Sequence, residues 1–262
     1  MRGALAVALR EIVERRLLFF GAFVAGLLPL GLPLLPSLRG KEHVARSVAM
    51  FLLVSGIAVV LPLVLGATVL AGEIAQKRLG FYFSRPLSAA SIWAGKLLGA
   101  LAISIGCVLF AGAPVFFLEG DRAFFLATGG LDPRALAALA FPGVFLLLLL
   151  AHVGASLARL RSAWIVLDLL LAALFAPAIA LSLRSLFFAG LRSSREACPA
   201  RSLWLLPAAF IAILLAASCV QIVDGRTDAR RSHGALSATL WALAAVFTAI
   251  LGGLAWWRAG GG

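Results

Sequence analysis

The stretch from Ser47 to Ala71, SVAMFLLVSGIAVVLPLVLGATVLA, contains no charged side chain. Crossing a bilayer as a helix takes about 20 apolar residues, because each residue rises about 1.5 Å through roughly 30 Å of hydrocarbon. This run is long enough. It lacks the period-two alternation of a barrel strand, so the backbone must satisfy its own hydrogen bonds as a helix. On either side, similar runs occupy Leu17 to Pro36, Ile92 to Leu118, Ala135 to Ala158, Ala163 to Leu183, Leu203 to Val223 and Ala235 to Trp257. The expectation is an all-α, polytopic transmembrane bundle of seven spans, or six if Asp168 and Pro177 make the Ala163–Leu183 segment re-entrant.

Composition agrees. Of 262 residues, 63% are hydrophobic and only 13% charged, too little polar material to coat a water-soluble globule of this size. The formal charge of +12 comes from Lys and Arg scattered among the loops, which fits a membrane surface and not nucleic acid. These cations are slightly in excess on the side that also holds the N-terminus. That bias predicts a cytoplasmic N-terminus and, with the composition, a cell-membrane protein of the bacterial inner-membrane kind. Cys107 and Cys219 lie in apolar runs and Cys198 in a loop, with no metal or redox spacing among them. The Leu17–Pro36 run exceeds a signal-peptide core and is read as a retained span.

Residues 1–16 differ from the rest of the chain. Leu5, Leu9, Ile12 and Val13 share one helical face, and Arg10, Glu11, Glu14 and Arg15 share the other, which is the pattern of an interfacial helix. Residues 17–257 then form the transmembrane domain. Within it the most distinctive polar gap is Glu73-Ile-Ala-Gln-Lys77-Arg78-Leu-Gly80-Phe81-Tyr82-Phe83-Ser84-Arg85-Pro86-Leu87-Ser88, followed by Trp93-Ala-Gly95-Lys96. Glu73, Lys77 and Arg78 stand on one helical side at i, i+4 and i+5, and Pro86 with Ser88 ends one element and begins the next. A short surface helix, a turn and a new span result.

This combination resembles the permease subunits of ABC transporters of the ABC-2 class. The matching features are an acid at the end of the second span, a basic pair four residues on, an aromatic stretch, Ser84-Arg85-Pro86-Leu87-Ser88, and Gly95-Lys96 opening the third span. The layout agrees from residue 1 to about 223 and is sharp only over 73–99. In that family the segment equivalent to 73–88 is the coupling helix that docks on a separate ATPase. The resemblance therefore implies Glu73, Lys77, Arg78, Phe81 and Arg85 as ATPase contacts, a homodimer or a paired sister permease, and export of an unidentified substrate. ATP and Mg would sit on the partner, with no cofactor on this chain. The bland alternative is a basic loop held at lipid headgroups. Family members of this size end after six spans, which a seventh span here contradicts.

No catalytic site is expected. Gly95-Lys96-Leu97 lacks the hydroxyl and the strand of a phosphate-binding loop, and Gly154-Ala-Ser156-Leu-Ala158 lacks the last glycine of a nucleophile elbow. Asp168 is the one acid well inside an expected span, where a charge costs about 2.5–3.5 kcal/mol and must face protein or water. It lines a translocation route with His152, or it simply bonds a neighbouring helix. His152 is read chiefly as a packing histidine, for no second ligand stands at i+3 or i+4. The competing functional readings are an ion-driven secondary transporter and an intramembrane enzyme using Asp168 and His152. Lys96 is expected to snorkel to the interface. The small residues Gly95, Gly99, Ala102 and Gly106 suit close helix approach, within the chain or between chains.

Overall fold

Apolar runs that cannot hydrogen-bond to their surroundings bond to themselves, and every element described is a helix. A computed structural model describes residues 2–34, 40–69, 87–120, 133–159, 205–224 and 229–260. The helices are α1 (Arg2–Glu14), α2 (Arg16–Leu27), α3 (Glu42–Val69), α4 (Ala89–Glu119), α5 (Pro133–Arg159), α6 (Leu205–Asp224) and α7 (Ala229–Gly260). The expected span Ala163–Leu183, with Asp168 and Pro177, lies outside the described residues.

α1 and α2 meet at Arg15, which leaves the helical region at φ −109°, ψ 19°, and the two segments bend by 52°. The change in chemistry explains the change in direction. α1 carries charges along its length, whereas α2 carries none after Arg16 and can lie wholly in an apolar phase. α2 runs into a 3-10 turn over Leu28–Leu34, where Pro29 and Pro33 withhold the amide donors that a continuing α-helix needs.

Among the described residues two helices, α3 with 28 residues and α4 with 31, are long and apolar enough to cross a membrane. Taking the bent α1–α2 pair as one span makes three. The described apolar stretches of the later helices, Ala140–Ser156, Ile211–Val223 and Gly234–Val246, are shorter. α4 is the hub, packing against α1, α2, α3, α5 and α6. Its buried side is built from small and branched residues, including Gly95, Gly99, Ala100, Ile103, Cys107 and Ala111. Ser88 caps its N-terminus, its hydroxyl accepting the Ser91 amide at 3.2 Å, as Pro86-x-Ser88 predicts. Gly120, at φ 60°, ends it.

α3 packs along α5, closest at Gly66, where an added methyl would strike the Leu148 carbonyl and the His152 amide. α6 and α7 pair as a hairpin through Leu214, Ala217 and Ile222 against Leu236 and Leu240. The Trp93 indole donates to Ser218 Oγ at 2.9 Å and ties this hairpin to α4. The outward surface is apolar instead of polar: Leu17, Phe20, Leu52, Leu109 and Phe117 are all exposed, Phe117 by 85%. Large contiguous apolar surface of this kind is compatible with a membrane location.

Candidate functional site at the α1–α4 junction

α4 carries a lysine in its third turn, and an ammonium buried there needs a counter-charge. α1 supplies it. Lys96 is 0% exposed and donates from Nζ to Glu11 Oε1 at 2.6 Å, while Arg15 Nε stands 3.6 Å from Oε2 of the same carboxylate. Glu11 itself is 2% exposed. The contact depends on two glycines that bracket the lysine. A methyl on Gly95 would strike the Ala4 carbonyl and Val7, and one on Gly99 would come to 2.9 Å from Glu11 Cβ. With both bare, the α1 backbone lies close enough for the short glutamate side chain to reach.

The snorkelling expected of Lys96 is therefore corrected. α1 covers Lys96, and the bond to Glu11 satisfies the ammonium inside. The face assignment in α1 also changes. Glu11 does not point away with Arg10 and Glu14 but turns inward with Val7 and Ala8, both buried. Leu5, Leu9 and Val13 are exposed on the opposite side, and Arg10 pairs with Glu14 at 2.6 Å beside them. Gly95 and Gly99 serve packing within the chain, as does Gly106, which sits against Phe19. Ala102 is exposed.

The start of α1 reaches the residues just after the distinctive polar segment. A methyl on Gly3 would stand 2.9 Å from Leu87 Cδ2 and 3.6 Å from Ser91 Cβ. α1 thus clamps the first turns of α4, from the Leu87–Ser91 entry to Gly99. Glu73, Lys77, Arg78, Phe81 and Arg85 lie outside the described residues, but both flanks of their segment, Val69 in α3 and Leu87 before α4, are placed.

A second polar clasp closes the far end of the α3–α4 pair. Glu119 binds His43 Nδ1 at 2.6 Å and accepts from Arg46 Nη1 at 2.7 Å. His152 faces inward from α5, fully buried, and neither ring nitrogen has a partner among the described residues. Ser156, one turn along, is likewise buried without one. Its suggested partner Asp168 lies outside the described residues. Among the described residues no three His, Cys, Asp or Glu side chains gather as metal ligands do.

Comparison with protein-family models, curated proteins and solved structures yields no match. Function therefore rests on the chain's own residues. Sequence reasoning missed the Glu11–Lys96 pair, although one signal was available. At helical spacing Glu11 falls on the side of Ala4, Val7 and Ala8, and Lys96 falls between Gly95 and Gly99, so each charge interrupts a close-packing stripe.

Proposed function

We propose that this chain is the membrane-spanning permease subunit of an ATP-powered exporter of the ABC-2 kind. It acts without a motor of its own, and a separate ATPase docks on residues 73–88. The observation that carries this reading is the anchoring of that segment's exit. Leu87 and Ser91 lie under the first turn of α1, and Glu11–Lys96 fastens α1 to α4 two turns further on. A push delivered through residues 73–88 would reach a clamped unit instead of a loose end. The charges and aromatic groups of Glu73, Lys77, Arg78, Phe81 and Arg85 supply the docking chemistry, with ATP and Mg held by the partner.

The full reading has six or seven spans, a cytoplasmic N-terminus, a bacterial inner-membrane setting and a second permease copy or sister chain. Affinity purification of the full chain from its native membrane, with the eluate searched for a Walker-motif ATPase, tests it directly. The wild type is expected to bring the ATPase down. K77E/R78E is expected to lose it while still inserting in the membrane. Unchanged copurification of the ATPase with K77E/R78E overturns the docking role.

A further inference from the structure

α2 and α3 both lean on α4 and scarcely touch each other, which leaves a slot between them. Its volume is about 580 Å³, its walls run from Leu17 to Ala25 on α2 and from Leu52 to Val64 on α3, and Cys107 of α4 forms its floor. Every lining residue is apolar or glycine apart from that thiol. Two of the glycines are informative. Gly26, Gly66, Gly95, Gly99 and Gly106 each lie against a neighbouring helix, but Gly21 and Gly56 have nothing within 4 Å of an added methyl. A glycine inside a helix is less favourable than an alanine. At Gly21 and Gly56 no contact among the described residues offsets that cost, and their effect is to widen the slot.

We propose that this slot holds one acyl chain of an anionic glycerophospholipid drawn from the leaflet on the N-terminal side. The inference rests on the membrane location of the chain and is independent of the ATPase reading. Dimensions select the occupant. Along α3 the walls extend about 18 Å at 1.5 Å per residue, slightly more than the roughly 15 Å that one leaflet contributes to the hydrocarbon. Spreading the volume over that length, and allowing a water radius at each wall, gives an open groove about 9 Å wide, whereas a helix with its side chains is about 10–12 Å across. A single flexible hydrocarbon chain fits along it, whereas a helix from a second copy is wider than the groove.

Charge selects the headgroup. Arg16 is exposed one residue outside the rim at Leu17, and Arg15 follows α1 at the same end. Among the described residues no carboxylate pairs with Arg16, since Glu14 is taken by Arg10 and Glu11 by Lys96 and Arg15. A phosphate at the rim meets a cation at about the level where the slot opens, and such cations attract anionic headgroups.

The test uses the full chain in phosphatidylcholine vesicles containing a trace of phosphatidylglycerol with a diazirine midway along one acyl chain. Irradiation and peptide mapping are expected to concentrate adducts on residues 17–25, residues 52–64 and Cys107, several-fold above the lipid-facing reference at Leu109 and Phe117. The same diazirine on phosphatidylcholine is expected to label the slot several-fold less. G21L/G56L fills space that is open in the structure and is expected to remove the excess. R16Q is expected to abolish the phosphatidylglycerol preference while leaving phosphatidylcholine labelling unchanged. Equal labelling of the slot and of Leu109 and Phe117 in the wild type overturns the site. An undiminished phosphatidylglycerol preference in R16Q overturns the headgroup assignment. Disulfide formation between copies carrying G56C, at the expense of lipid labelling, assigns the slot to a second chain instead.

Discussion

Lys96 and Glu11 are 85 residues apart in sequence and 2.6 Å apart in the fold, with neither reached by solvent to any useful extent. A buried pair adds little net stability over a matched apolar pair, but removing one member strands the other. The pair's contribution is thus to fix α1 on α4 in one register, with Gly95 and Gly99 setting the distance.

E11Q is expected to destabilise the chain by about 3–5 kcal/mol, since it removes the carboxylate that the buried Lys96 ammonium bonds, and K96M by less, since Arg15 remains 3.6 Å from Glu11. The double variant E11L/K96M is expected to recover most of that loss. Thermal unfolding of the purified protein in one detergent, followed by Trp fluorescence, measures both. Losses that simply add in the double variant contradict a direct pair.

G95A places a methyl against the Ala4 carbonyl, so α1 must move off α4, and a loss of about 1–3 kcal/mol is expected from such overpacking. G154A is the matched control, with nothing within 4 Å of the new methyl and up to about 1 kcal/mol of helix propensity to gain. Protease protection of the α1–α2 junction is expected to fall in G95A and to stay unchanged in G154A.

At the other end of the bundle, the two partners of Glu119 are unequal. Arg46 is 17% exposed and His43 57%. R46M is expected to cost about 1.5–3 kcal/mol, the usual worth of a hydrogen bond to a charged group, and H43Q about 0–1 kcal/mol. Equal losses in the two variants contradict this ordering.

What the sequence makes legible depends on which interactions are local. α3 and α4 could be drawn from apolar length alone, and Ser88 as a cap from its place after Pro86, because caps and helices are settled within a few residues. The side of α1 that packs was marked only by its small residues, Ala4, Val7 and Ala8 beside Glu11, and the partner that makes use of it, Gly95 and Gly99, lies far along the chain. Lys96 read as a snorkelling cation for the same reason, its counter-charge being on another helix. The docking residues from Glu73 to Arg85 were legible as a pattern by resemblance, while their geometry lies outside the described residues. The slot between α2 and α3 had no sequence signal at all, for Gly21 and Gly56 look like every other helical glycine until their surroundings are placed.

The inverted amphipathicity of α1 also bears on how the protein is made. Glu11 leaves the ribosome well before Lys96 does. The carboxylate that Lys96 bonds is therefore already synthesised when α4 emerges, and the pair replaces a bare lysine, which in hydrocarbon costs about 2.5–3.5 kcal/mol. Synthesis from the N-terminus thus delivers the two charges in the order that spares the membrane an unpaired one.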